Sequence, residues 1–578
     1  MKSVSPLSEA DRNKLVEMLF PDHKQLPTLE QLEAKYPKRD LPAGAIVCRV
    51  APSPTGFAHI GLIYMSTFNY KVAVQSGGVF IVRIEDTDTQ REIKGATATI
   101  GKAISYFKVD AHEGLVLNDN GEVCQKGAYG PYVQSERKEI YRAACIHLLK
   151  TGLAYPCFCT PAELEEVSEL QRVQKLRPGY YGAFAKWRDA PLAKIEQEFK
   201  SGIPFVIRFR AFGLQDNRVS WNDGVRGKTS FPEHDVDTVI LKSDGQSLYH
   251  LAHLVDDHFM RITDIIRGEE WLSSVPLHIQ LYEAFGWDCP RFTHLSHMMK
   301  VDIVSEVDPE TGKTTEKQAR RKLSKRKDPD ADVAYFVRLG YPADSVIEYL
   351  LNILNSNFED WRRANPDKPH ADFAVSFDKL PPSGALADLV KLGSVSRDVI
   401  SRYSADQIYK EALIWSKSFE PELFALLEKY REFSIRCLGI ERGGVKPNKR
   451  FTTWADLREQ MAYMYKEVYS KLEKFDFPEN VSGVDRGAII QAFMKSYAAA
   501  DNKDTWFAKC KEFAAPLGFA VDMKEYKKNP AAFKGSISDV TTILRVAITG
   551  SRQSPDLWEI MQVLGVDESM SRLQKFAK

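Results

Sequence analysis

Residues 46–62, Ile-Val-Cys-Arg-Val-Ala-Pro-Ser-Pro-Thr-Gly-Phe-Ala-His-Ile-Gly-Leu, admit few folds. Ile46, Val47 and Val50 form a β-branched run that reads as a buried strand. Pro52 and Pro54 end it, Gly56 permits a turn, and a helix begins near Gly61. A strand that feeds a helix through a short stiff turn is the opening of a βα unit. The turn gathers unpaired N–H groups and the positive end of the helix dipole, which makes a cradle for an anion. His59 can donate to a phosphate oxygen, and Gly61 lets a flat ring or a ribose approach the backbone.

Buried-strand signals recur beyond this unit. Val79-Phe80-Ile81-Val82-Arg83-Ile84 is a nearly continuous apolar run, as in parallel strands covered on both faces. Similar signals return at 237–241 and 264–267, after a long mixed stretch that includes the strand-like 204–209. We read an α/β fold: a doubly wound parallel, Rossmann-like sheet interrupted by an α+β insertion, then a connecting region and an all-α C-terminal half. The expected boundaries are a helical extension over 1–44, the first half of the sheet domain over 45–130 and the insertion over 131–236. The second half follows over 237–290, a region with a basic loop over 291–395, and the helical half over 396–578. A chain of 578 residues requires several such cores.

Composition sets the setting. A content of 44% hydrophobic and 27% charged residues is that of a soluble globular protein. No apolar run approaches the ~18 residues that span a bilayer. The first residues mix Glu9, Asp11, Glu17 and Asp22 and do not resemble a targeting segment. Eight scattered cysteines fit a reducing compartment, so a cytoplasmic protein is expected. A net charge of +1 leaves RNA binding to local basic faces.

A second site is Lys322-Leu323-Ser324-Lys325-Arg326, set among Lys313, Lys317, Arg320, Arg321 and Lys327. Any lysine run can be a solvated loop. Near a phosphate cradle, however, mobile ammonium groups stabilise the charge that builds on phosphate oxygens during displacement. Gly312 and its polar neighbours predict a loop able to close.

Together, the 49–62 and 322–326 segments resemble the two signatures of class I aminoacyl-tRNA synthetases, and specifically the bacterial glutamyl-tRNA synthetases. The last histidine of the first signature is Leu62 here, the methionine of the second is Leu323, and its final serine is Arg326. The resemblance implies a ligase that uses ATP with Mg²⁺ to join L-glutamate to tRNA-Glu through an adenylate. Whether tRNA-Gln is also charged is left open. It implies a monomer, catalysis by His59, Gly61, Lys322, Ser324 and Lys325, and ATP contacts from His59, Gly61, Glu270, Trp271 and Lys325.

Glutamate carries two carboxylates and one ammonium, so a selective pocket needs two guanidinium-like groups and one carboxylate. By resemblance these are Arg49 for a substrate carboxylate (the side-chain one), Glu85 for the ammonium, and Tyr249 and Arg267 as further pocket residues. Ala51 and Ser53 match the adjoining contacts. His253 stands where relatives commonly carry Asn and is expected to stay in the pocket, adding charge if protonated.

Some relatives hold zinc near Cys157-Phe158-Cys159, but 179–187 contains no Cys or His to complete a site. No metal site and no zinc are expected, with Phe184 and Trp187 packing in its place. Arg172, Lys175, Arg177 and Lys186 among Tyr180, Tyr181 and Trp187 suit an unpaired RNA end. The basic loop 442–450 is a second candidate for RNA contact. By resemblance, 131–236 binds the acceptor end, 291–395 contacts the stem and 396–578 binds the anticodon. The rival readings are a glutaminyl enzyme, a catalytically silent tRNA-binding paralogue and a small-molecule adenylyltransferase.

Overall fold

The computed structural model describes residues 4–87, 93–307, 314–324, 326–444 and 448–578. These fall into two compact units, Met1–Tyr335 with Leu350–Asp388, and Phe336–Tyr349 with Leu389–Lys578.

The first unit is built on the sheet. β1 (Val47–Val50) is buried along its length and leads through the proline turn into α1 (Ile60–Ser76). α1 stops at Gly77, whose φ of +68° is the left-handed conformation that glycine adopts without strain. β2 (Val79–Val82) returns parallel to β1, with Val47 opposite Val79 and Val50 opposite Val82. β3 (Glu113–Leu117) is again parallel, and β4 (Val123–Lys126) turns back antiparallel. The chain then leaves the sheet and comes back through α2 (Tyr249–Phe259) to β5 (Asp264–Gly268) and β6 (Arg291–Leu295), a parallel pair.

β5 begins against the free edge of β1. The Thr263 N–H donates to the Val47 carbonyl at 2.9 Å, and the Val47 N–H donates to Thr263 Oγ1 at 2.9 Å. Edge to edge the order is β6, β5, β1, β2, β3, β4. The winding therefore reverses between β1 and β5, as a doubly wound sheet requires.

Between β4 and α2 the insertion forms an antiparallel sheet of Ala154–Cys157, Val206–Phe209 and Val239–Leu241 with three helices, and a ribbon of Arg218–Asp223 and Gly227–Pro232. Its helix Pro161–Val173 starts at a reciprocal Thr160–Glu163 cap. After β6, the hairpin of β7 (Met298–Val307) and β8 (Thr314–Lys322) carries the basic segment to the sheet. The loop expected at Lys317, Arg320 and Arg321 is thus an antiparallel strand. Its side chains from 316 to 321 are exposed or half-buried, so no apolar alternation marks it in the sequence.

The N-terminal extension folds as the helices Glu9–Leu19 and Leu29–Lys35 and shares the core of the sheet domain. Arg39 pairs with both oxygens of Glu113 at 2.7 and 2.9 Å, and the Tyr36 hydroxyl donates to the Gly130 carbonyl.

The second unit is helical, around Ile537–Thr549 with Ile543, Leu544, Ala547 and Ile548 buried. A two-residue parallel pair, Phe519–Ala520 with Gly535–Ser536, is its β structure among the described residues.

Candidate active site

A cavity of about 1010 Å³ opens over the carboxyl ends of β1 and β5, at the point where the winding reverses. Arg49, Ala51 and Ser53 enter it from the end of β1, His59, Gly61 and Tyr64 from the turn and α1. Glu85 comes from the end of β2, Tyr249 from α2, and Arg267, Glu270 and Trp271 from β5 and the turn after it. Lys322 and Leu323 close one side.

At the phosphate-cradle end, His59 caps α1. Its Nδ1 accepts the Gly61 N–H at 2.8 Å, so the ring proton sits on Nε2. A Cβ on Gly61 would lie 2.9 Å from that Nδ1, so the glycine keeps the cap compact. Both signature segments line this end; the Val333 N–H, just beyond the second, donates to the Ala58 carbonyl of the first, and the Leu323 N–H donates to the Met298 carbonyl. Leu323 is buried and anchors its segment. Ser324 does not line the cavity; its N–H donates to Asp328 Oδ2 at 2.8 Å. Arg321 grips the same carboxylate at 2.6 and 2.8 Å and holds its pKa well below the usual range. Lys325, like Asp88 and Lys313, lies outside the described residues.

At the other end, charged side chains are buried. Arg49 is bound through Nε and Nη2 to Asp257 at 2.9 and 3.0 Å. Burial alone would raise the pKa of Asp257, but Arg49 and Arg83 hold it well below the carboxylate range. Burial raises that of Glu85, against the pull of Arg83. Arg267 is different. Its partners are His294 Nε2 (3.2 Å), His278 Nδ1 (3.1 Å), the Tyr249 hydroxyl and the Trp271 carbonyl. None is a carboxylate, and burial lowers its pKa. Asp223 reaches it only through His294, whose Nδ1 lies 2.6 Å from Asp223 Oδ2. His278 in turn bonds His250 at 3.0 Å. Acceptance from Arg267 requires both histidine nitrogens to be unprotonated, and burial depresses the pKa of both rings. Among the described residues, Arg267 is thus a buried guanidinium with no acidic hydrogen-bond partner, in the same cavity as the carboxylate of Glu85. An anion is the ligand it suits.

His253 does not line the cavity. It lies fully buried behind Tyr249, ring centroids 4.7 Å apart, with Nδ1 3.3 Å from Asp257 Oδ2. Burial lowers its pKa to about 3, so it stays neutral and adds no charge near pH 7. Tyr249, stacked on Trp271 at 4.1 Å, forms the wall in front of it.

Two other surroundings differ from expectation. Tyr180 and Trp187 are core residues, which removes them from any RNA-facing surface. Tyr180, rather than Phe184, stands beside Cys159, with its hydroxyl 3.5 Å from Sγ, while Phe184 packs on Tyr181. Trp187 packs on Phe158 as expected of an apolar filling. In the basic loop, Arg442 turns inward to the carbonyls of Ile400, Tyr403 and Leu438, and Lys449 pairs with Asp398. Val445, Lys446 and Pro447 are outside the described residues.

Sequence reasoning passed over Arg83, Arg137, Asp256, Asp257, His278 and His294, all buried around the cavity. The available signal was two adjacent aspartates inside the apolar run 251–259. Buried acids in such a run demand buried cations.

A doubly wound sheet with an anion cradle and a charged recess at its switch point, flanked by both signature segments, has the architecture of a class I synthetase core. Residues 45–356 match the family described as tRNA synthetases class I (E and Q), catalytic domain, and residues 446–577 match an anticodon binding domain. A glutamate–tRNA ligase of Sorangium cellulosum is 49% identical over 95% of this chain and 97% of its own. One from Clostridium perfringens is 44% identical over 97% and 99%. The crystal structure of a glutamate–tRNA ligase from Elizabethkingia meningosepticum, in complex with its amino acid, aligns with a TM-score of 0.65 at 26% identity, covering 92% of this chain and 99% of that one. The chain belongs to the class I tRNA synthetases of the E and Q type.

Proposed function

We propose that this protein is a glutamate–tRNA ligase: it attaches L-glutamate to the 3′ end of tRNA-Glu through a glutamyl-adenylate, releasing AMP and pyrophosphate. The observation that carries the choice of amino acid is that two buried guanidiniums, Arg49 and Arg267, face one cavity with the carboxylate of Glu85, and that Arg267 has no carboxylate among its partners in the described residues. One substrate carboxylate pairs with Arg267 and the other with Arg49, whose Nε and Nη2 are already fixed by Asp257. Glu85 receives the ammonium. Ala51 and Ser53 border the same recess. His253 acts only through Tyr249 and Asp257.

ATP takes the cradle end, with His59 and Gly61 at the phosphates and Glu270 and Trp271 toward the nucleoside. Mg²⁺, when bound with ATP, would supply the counter-charge of its phosphates. A carboxylate oxygen of glutamate forms the new bond to the α-phosphorus as the bond to the bridging oxygen of pyrophosphate breaks. Lys322 and Lys325 neutralise the departing charge, and Ser324, tied to Asp328, fixes their segment. The terminal ribose hydroxyl of tRNA then takes the acyl group and AMP leaves. The protein supplies position and charge rather than a covalent nucleophile.

In this reading the catalytic sheet takes its strands from 45–130 and from 264–295, and the insertion, which includes the strand Val239–Leu241 and so runs past the expected boundary at 236, holds the acceptor end; the region from 296 to 395 contacts the stem and 396–578 reads the anticodon, with 1–44 as an added buttress. It extends to a monomer in the cytoplasm. The test is attachment of labelled glutamate to separate tRNA-Glu and tRNA-Gln transcripts with ATP, run beside glutamine. Glutamylation of tRNA-Glu is the expected result, and charging of both transcripts would widen the substrate range. Attachment of glutamine instead, or of neither, would reject the reading.

A further inference from the structure

Five buried side chains form a ladder of alternating charge beneath the cavity: Arg137, Asp256, Arg83, Asp257 and Arg49. Arg137 Nε lies 2.6 Å from Asp256 Oδ1, and Arg83 Nε 3.5 Å from Asp256 Oδ2. Arg83 Nη1 donates to Asp257 Oδ1 at 2.6 Å, and Asp257 grips Arg49. The remaining arm, Arg83 Nη2, donates to Glu85 Oε1 at 2.9 Å. The two arms of one planar guanidinium thus hold the carboxylate that faces the cavity and, through Asp257, the arginine that faces it.

We propose that Arg83, which is fully buried and does not line the cavity, is the positioning residue that fixes the distance between the ammonium-binding and carboxylate-binding groups of the amino-acid site. This rests on the glutamate reading above. The guanidinium fork is rigid, so Glu85 and Asp257 cannot move independently while both are bound to it. Lysine keeps the charge but has no fork, so it can satisfy one acid and leave the other unregistered. Arg137 is an internal comparison: it is equally buried, bound to the neighbouring Asp256, and bonded to neither Glu85 nor Asp257.

The experiment compares wild type, Arg83→Lys and Arg137→Lys in glutamate- and tRNA-dependent pyrophosphate exchange, with the full chain checked for folding by circular dichroism. Arg83→Lys is expected to raise the glutamate KM at least tenfold and leave the ATP KM within twofold. Arg137→Lys should leave both within twofold. Adding Glu85→Gln to Arg83→Lys should cost less than it does in wild type, because the geometry that Glu85 depends on is already lost. If Arg83→Lys does not fold, Asp257→Asn carries the same expectation for glutamate against ATP. An unchanged glutamate KM in a folded variant, or equal rises in both KM values, or the same rise in Arg137→Lys, overturns the proposal. A wild type that activates no glutamate overturns the functional reading itself, and this inference with it.

Discussion

At the scale of single residues, the site is governed by what burial does to charge. Arg267 spends its donors on neutral acceptors, so a substrate carboxylate is its natural counter-ion. Arg267→Gln should lower kcat/KM for glutamate by about 2–5 kcal/mol, roughly 30- to 5,000-fold, with the ATP KM little changed. His253 gives the opposite kind of prediction. An unfolded histidine takes up a proton below about pH 6.5, whereas this ring does so only near pH 3. Acid therefore favours the unfolded chain, and stability is lost as pH falls from about 6.5 toward 3. At pH 5 the loss is about 2 kcal/mol for the one ring. His253→Asn should accordingly show a smaller drop in Tm between pH 7 and pH 5. Its glutamate KM should follow pH from 6 to 8 as wild type does, since a neutral ring has no charge to lose there.

Elements decide which of these residues meet. The helix start near Gly61, the proline turn and the end of β1 were legible because turn chemistry and β-branched runs leave local marks in sequence, whereas the capping role of His59 was not read there. The β7–β8 hairpin was not, since its exposed polar strand pairs through backbone groups that carry no composition signal. The Asp328 anchor was hidden too, because it acts across a turn on Ser324 and Arg321. Asp328→Asn should release that segment and lower the rate of pyrophosphate exchange about tenfold, the order of one lost charge-assisted hydrogen bond. The glutamate KM should stay within twofold, because the segment lies at the phosphate end.

For the molecule as a whole, the interruption of the sheet and the helical second unit followed from hydrophobic periodicity, but 237–241, read as a strand of the parallel sheet, pairs antiparallel with Val206–Phe209 in the insertion, because an apolar run does not say which sheet it joins. What periodicity could not show is how distant segments share one core. The N-terminal extension reads as a separate preface, yet Leu15 and Val16 are buried in the same cluster as Tyr141 and Leu148. Leu15→Ala should therefore destabilise the sheet unit by about 2–5 kcal/mol, seen as a lower Tm for loss of exchange activity. The same limit explains why the charge ladder escaped notice: Arg83, Arg137 and the paired aspartates are far apart in sequence and meet only after folding.

The central claim is that two buried guanidiniums, Arg49 and Arg267, facing one cavity select an amino acid that carries two carboxylates. The direct measurement is the ratio of kcat/KM for glutamate to that for glutamine in tRNA-dependent activation by the wild-type protein. Glutamine keeps the main-chain carboxylate for Arg267 but presents a neutral amide to the buried Arg49 in place of a carboxylate, and the loss of that charged partner costs about 3–5 kcal/mol, so the predicted ratio is at least about 100. A ratio near one, or a preference for glutamine, would contradict the account.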